Sequence, residues 1–93
     1  MSAALTHRTV VLRNRRGLHA RAAAKIVTLA ETFDAALTVR HDGQDVAALS
    51  IMGLMMLGAA QGSTLELVAS GPQAPQAVAG LAELIERRFD EDE

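Results

Sequence analysis

The chain has 93 residues, 49% of them apolar and 22% charged, with a formal net charge of −2. That length makes one domain, residues 1–93, which buries about 60–65% of its unfolded surface and has no room for a second lobe or a deep cavity. The composition is that of a globular protein, not a disordered one. The absence of cysteine excludes disulfides, zinc–thiolate sites and cysteine nucleophiles.

Residues 1–7 read as a flexible N-terminus. Met1–Leu5 is too short for a signal-peptide core, and the basic residues follow it rather than precede it. No apolar run nears the ~20 residues of a membrane span, so the expected location is the cytoplasm. Thr9-Val10-Val11-Leu12 is short and β-branched and predicts a strand. Asn14–Gly17 reads as a loop. From Ala20 to about Phe33, apolar residues recur at helical spacing through Ala23, Ile26, Val27, Ala30 and Phe33. Leu37–Arg40 alternates with period two, a strand. Asp42-Gly43 suits a two-residue hairpin turn whose central residues both take positive φ, with Gln44–Ala47 as the returning strand. Ser50 is a good N-cap for a short helix to about Leu57, and Gly58 can close it in the left-handed conformation. Thr64–Ala69 alternates again, with Leu65, Leu67 and Ala69 inward. After Gly71-Pro72, a last helix is predicted over about Ala74 to Phe89, with Ala77, Val78, Leu81 and Ile85 as its buried stripe.

The order is strand, helix, strand, strand, helix, strand, helix. Strands with one apolar face and helices with one apolar stripe are both satisfied by a sheet covered on one side, a two-layer α+β domain. Charge is unevenly spread. Residues 1–30 contain Arg8, Arg13, Arg15, Arg16, Arg21 and Lys25 and no acid, whereas Glu83, Glu86 and the 90–93 tail make the end acidic. The basic third could meet an anion, an acidic protein face or nucleic acid, or be a solvated surface. The tail reads as solubilising.

Three histidines are present. His7 lies near the N-terminus and His41 beside the hairpin turn, where solvation is expected. His19 stands where a glycine-containing loop meets a helix start. Unpaired backbone N–H groups and the positive end of the helix dipole attract anions there. The same field, with Arg21 and Arg16, disfavours imidazolium, so an uncharged, nucleophilic ring is expected. A charge at such a terminus gains ~0.3–1 kcal/mol when exposed and up to ~2 in favourable geometry. That tunes a transfer equilibrium without trapping the group transferred. Spacing alone does not separate this role from that of an ordinary surface histidine at a helix start.

Gly17-Leu18-His19-Ala20-Arg21 followed by Ala23-Ala24 resembles the active-site signature of the HPr family. Ser50-Ile51-Met52-Gly53, continued by Leu54–Gly58, resembles that family's regulatory serine segment, and Ala60-Gln61-Gly62 and Ser70-Gly71 follow in family order. The resemblance runs from about Thr9 to Phe89. It implies an open-faced βαββαβα sandwich with a four-stranded antiparallel sheet and three helices on one face. It implies that His19 is phosphorylated on Nδ1 by enzyme I, itself charged from phosphoenolpyruvate, and passes the group to an EIIA-type domain. Arg21 would steady the phosphoryl oxygens, and Ser50 would be the target of an HPr kinase/phosphorylase. Ile51, Met52 and Met55 cluster on one side of the short helix, where, if exposed, they would contact partners together with Arg16 and Ala20; periodicity alone equally allows Ser50 to be merely an N-cap and the methionines to be core. Whether the relay serves sugar uptake or nitrogen-related regulation is left open, because both use the same histidine chemistry.

Two positions depart from the family. Ala22 stands where proline is usual, so the helix could begin earlier and draw His19 into its first turn. Leu49 precedes Ser50 where many relatives carry a basic residue, which puts kinase recognition in question. Against the carrier stand a regulatory adaptor that docks without phosphotransfer and a nucleic-acid module. With only Phe33 and Phe89 as aromatics, the latter lacks a stacking platform. An enzyme with its own turnover is not indicated. The sequence shows no P-loop and no metal-ligand cluster, so no cofactor or metal is called for, and no nucleic-acid or membrane partner. A monomer is the expectation.

Overall fold

A computed structural model describes residues 5–91. Residues 1–4, and with them most of the N-terminal segment expected to be flexible, lie outside the described residues, as do residues 92 and 93 of the acidic tail. The elements are β1 (Thr6–Val11), α1 (Ala20–Ala30), β2 (Ala36–His41), β3 (Gln44–Ala47), α2 (Ile51–Met56), β4 (Thr64–Ser70) and α3 (Ala74–Glu86). The four strands form one sheet in the order β1-β4-β2-β3, with every neighbouring pair antiparallel. α3 packs on β1, β4 and β2, and α1 packs against α2 and α3. This is the open-faced βαββαβα sandwich that the resemblance implies.

Side-chain alternation on the strands decides the layers. Val10, Leu37, Val39, Leu65, Leu67 and Ala69 point into the core and are buried. They meet Ala22, Ala23 and Ile26 of α1 and Ala77, Val78, Leu81 and Ile85 of α3 in one apolar cluster. Each large side chain so buried stabilises the fold by ~1.5–3 kcal/mol relative to exposure. On the opposite face the charges line up across all four strands. His7 on β1 donates to Glu66 on β4 at 3.0 Å, and Arg40 on β2 donates to Glu66 at 2.8 Å and to Asp45 on β3 at 2.6 Å. The hydrogen bond from Arg40 holds the Asp45 carboxyl below its ordinary range, and those from His7 and then Arg40 do the same for Glu66. His7 therefore belongs to a strand, paired with Val68, instead of to a free N-terminus. His41 is likewise tied, its Nδ1–H donating to the Thr64 carbonyl at 3.2 Å.

The hairpin has the predicted form. His41 pairs with Gln44, which leaves Asp42 (φ 52°) and Gly43 (φ 81°) as the turn. Both long helices end earlier than their periodicity suggests. α1 stops at Ala30 because its last carbonyls find tighter partners: the Thr32 amide and hydroxyl both donate to Leu29 O, at 3.0 and 2.7 Å, and the Phe33 amide donates to Ala30 O. Phe33 is consequently outside the helix, but it still packs, with its ring against Gly80 of α3. A Cβ on Gly80 would lie 3.1 Å from that ring.

The end of α3 differs more. Instead of continuing to Phe89, the helix closes at Glu86 and the chain reverses through Arg88, Phe89 and Asp90, all at positive φ (61°, 54° and 61°). A left-handed residue other than glycine costs roughly 1–2 kcal/mol. Opposing that cost, Phe89 is completely buried, Lys25 of α1 donates to the Phe89 carbonyl at 2.5 Å, and Arg87 bonds both Glu83 and Asp90. Phe89 thus acts as an anchor for everything after α3. Phe89→Ala is expected to cost about 3–5 kcal/mol of stability in urea unfolding and to release the chain beyond Arg87, read as faster amide exchange at Asp90 and Glu91.

Candidate functional site

The segment joining β1 to α1 is fixed by a second loop. The Leu12 amide donates to Ser63 O at 2.8 Å, the Gly62 amide to Leu12 O at 2.7 Å, the Gln61 side chain to Arg13 O at 3.1 Å, and the Leu18 amide to Ala59 O at 3.1 Å. Leu12 and Leu18 are buried on either side of the turn. Within it the Gly17 amide donates to Asn14 O at 3.2 Å, and Gly17 has φ 66°. A Cβ at Gly17 would lie 2.6 Å from Ala59 O and 2.9 Å from Ala60 Cα, so both the sign of φ and the close approach require glycine. The Ala60-Gln61-Gly62 segment is therefore the surface against which the active loop is moulded.

His19 follows at once, as the N-cap of α1. Its backbone is extended (φ −79°, ψ 176°), and its carbonyl accepts the first helical bond, from the Ala23 amide, at 2.9 Å. The helix begins at Ala20. Ala22 therefore does not draw His19 into the first turn. Instead its methyl group is buried in the core, and the loop bonds to Ala59–Ser63 set where the helix starts.

The two ring nitrogens have different neighbours. Nδ1 accepts a long hydrogen bond, 3.3 Å, from the Arg21 amide. Nε2 lies 2.5 Å from Oε2 of Glu91, to which it donates. These partners fix the tautomer, with the proton on Nε2 and the lone pair of Nδ1 directed at the positive helix end. The second partner is one that the sequence reading placed in a solubilising tail. In the fold the Glu91 side chain is only 9% exposed and covers a His19 ring that is 13% exposed. The ring is thus less open than expected and faces a carboxylate as well as the helix dipole.

Asn14, read only as a loop residue, completes the cluster. It is fully buried. Its Nδ2 donates to Gly17 O at 2.9 Å and to Glu91 Oε1 at 3.1 Å, while Oδ1 has no hydrogen-bond partner among the described residues. Flipping the amide would set Oδ1 against two acceptors, so the orientation is determined. Burial pushes the Glu91 carboxyl up. The hydrogen bonds from His19 and Asn14, with the charge of Lys25, outweigh that and leave it below its ordinary range.

The other expected site residues are distributed around this centre. Arg21 reaches His19 through its backbone N–H, while its side chain is exposed and lines, with Lys25, Thr28, Leu84, Arg87 and Asp90, an open groove of about 440 Å³ between α1 and the C-terminal turn. Arg16 and Ala20 are exposed on either side of His19. Ser50 stands on a separate element as the N-cap of α2, its Oγ accepting from the Gly53 amide at 3.0 Å. A Cβ at Gly53 would lie 2.9 Å from that Oγ. Ile51, Met52 and Met55 are exposed, together with Leu49 and Met56, so that α2 presents an apolar face while Leu54 anchors it in the core. Among the described residues no group of His, Asp and Glu side chains is placed to hold a metal ion, and no helix is long and apolar enough to cross a membrane.

A family profile described as the PTS HPr component phosphorylation site matches residues 6–87. The phosphocarrier protein HPr of Cupriavidus necator is 43% identical over 89 residues, covering 96% of this chain and all of the relative. The phosphocarrier protein NPr of Escherichia coli K12 is 41% identical over 85 residues, covering 90% of this chain and 94% of the relative. The crystal structure of HPr-C-His from Thermoanaerobacter tengcongensis superposes with a TM-score of 0.90 at 40% identity, covering 95% of this chain and 99% of that one.

Because the folded Glu91 carboxyl is held below its ordinary value, its contribution to stability is complete above the range in which an unfolded glutamate titrates. It is lost as pH falls through the folded value. Glu91→Gln removes that dependence. The stability difference between wild type and Glu91→Gln, about 1 kcal/mol near neutral pH, is expected to shrink on acidification across that window, measured by urea unfolding at a series of pH values.

Proposed function

The chain belongs to the HPr family of phosphocarriers, and from that premise we propose that His19 accepts a phosphoryl group on Nδ1 from phosphorylated enzyme I and delivers it to an EIIA-type domain. The observation that carries this reading is the division of labour on the ring: Nε2 is held by Glu91, and Nδ1 keeps its lone pair at the start of α1. In the forward step the Nδ1 lone pair attacks phosphorus in line as the bond to the donor breaks. The proton stays on Nε2, where Glu91 holds it, so no base has to be recruited. Charge spreads onto the phosphoryl oxygens, and these meet the unpaired amides of the first turn and the exposed guanidinium of Arg21. The stabilisation is modest by nature, which suits a group that must leave again. The chain is then a covalent intermediate of a cytoplasmic relay, working as a monomer, and its chemistry uses neither cofactor nor metal.

Docking is assigned to the surface around the ring, formed by Arg16 and Ala20 beside it and by Ile51, Met52 and Met55 on α2. Methionine side chains conform readily to different partner surfaces, which fits a protein that must meet both a donor and an acceptor. Ser50 gives this face a switch. A phosphate there brings roughly −1.5 to −2 charge beside the apolar patch. It would suit the helix N-terminus and oppose seating on an apolar or acidic partner face. A dedicated HPr kinase/phosphorylase is the partner for that modification.

Incubation with enzyme I and phosphoenolpyruvate is expected to give wild type an acid-labile, alkali-stable phosphoryl adduct and to leave His19→Ala unlabelled. Full labelling of the mutant would remove His19 from the role, and a wild type that stays unlabelled but still binds an EIIA-type domain would favour a docking adaptor. Ser50→Asp is expected to keep the labelled residue unchanged while lowering the rate of acceptance about tenfold at limiting carrier, the effect of ~1.4 kcal/mol lost at the interface.

A further inference from the structure

All three methionines among the described residues stand on α2, a helix of six residues. The chain contains no cysteine, so thioethers are the only sulfur groups it carries. Their exposures differ in a graded way: Met56 76%, Met52 68% and Met55 41%. Met52 and Met56 are four residues apart and so share one side of the helix. The contacts that hold α2 on the domain come from elsewhere, through the buried Leu54 and Leu57 and the Ser50 cap.

We propose that Met52 and Met56 are a reversible oxidation site through which peroxide lowers the carrier's traffic without unfolding it; the effect on transfer rests on the reading of α2 as a docking face. In the step itself a sulfur lone pair attacks one oxygen of hydrogen peroxide. A sulfur–oxygen bond forms, the oxygen–oxygen bond breaks, and the departing hydroxide takes a proton and leaves as water. Sulfur is oxidised by two electrons and the peroxide is reduced. A thiol-dependent methionine sulfoxide reductase reverses it, with two thiols becoming a disulfide and the oxygen leaving as water. Oxidation replaces a flexible apolar side chain with a polar, chiral one. On the free protein that oxygen is solvated. Beneath a partner it must find a donor or remain desolvated at a cost. Exposure governs susceptibility, so the order of reaction is written into the fold, with Met56 and Met52 ahead of Met55.

The test treats the full-length protein with hydrogen peroxide, maps sulfoxides by peptide mass spectrometry, records circular dichroism, and measures the rate of phosphoryl acceptance from enzyme I at limiting carrier. Met56 and Met52 are expected to oxidise before Met55, with the circular dichroism spectrum unchanged. The acceptance rate is expected to fall about five- to tenfold, as for loss of one anchoring contact, and to recover after the reductase. In M52L/M56L the ratio of treated to untreated rates is expected to stay near one. Faster reaction at Met55, loss of the folded spectrum, or treated wild type transferring as fast as untreated would each overturn the proposal. Untreated Ile51→Glu separates it from the reading beneath it. If that variant transfers poorly while oxidised wild type transfers normally, only the oxidation site is lost. If Ile51→Glu transfers as wild type does, the docking face itself is wrong.

Discussion

Gly17 lies with its α-carbon against the Ala59 carbonyl and at a φ that side chains resist, and the placement of His19 follows from that contact. The close approach lets the Leu18 amide bond Ala59 O and buries the Leu18 side chain. The next residue is then set at the mouth of α1 with an extended backbone. A histidine one residue later would lie inside the helix and lose the orientation of its Nδ1 toward the helix start. The histidine's position is therefore a property of backbone packing between two loops, reached here with alanine at position 22.

A carrier has to bind its cargo weakly enough to part with it. Helix-end amides and an exposed guanidinium stabilise a phosphoryl group by amounts that partners can exceed. Glu91 adds a constraint of a different kind. It holds the proton on Nε2, leaves the lone pair of Nδ1 at the helix start and fixes the ring's rotation. Its carboxylate is in turn oriented by the buried Asn14, which also donates to the Gly17 carbonyl. This arrangement exists because Phe89 fills the core and turns the chain back toward the helix start. A strained left-handed turn, an aromatic anchor and the carboxylate that holds His19 are thus links of one short segment.

The two halves of the molecular surface are managed differently. The outer face of the sheet carries a chain of hydrogen-bonded polar and charged side chains from edge to edge, cross-strand pairs that add to the sheet's stability. The face around α2 is left apolar. Methionine side chains adapt their shape readily to different surroundings. The same choice puts sulfur in contact with solvent.

The linear sequence determined what depends on neighbours in the chain. Alternation named the inward residues of the strands, Asp42-Gly43 fixed the hairpin, Ser50 was legible as a helix cap because capping is local chemistry, and His19 was legible as standing at a helix start. Tertiary structure alone decided what depends on distant partners. Asn14 and Glu91 meet across 77 residues and His19 and Glu91 across 72, separations at which no periodic pattern carries information. Periodicity also ran α3 on to Phe89. It could not register that burying that ring through a reversed turn, with Lys25 reaching across to its carbonyl, stabilises the chain more than one further turn of helix.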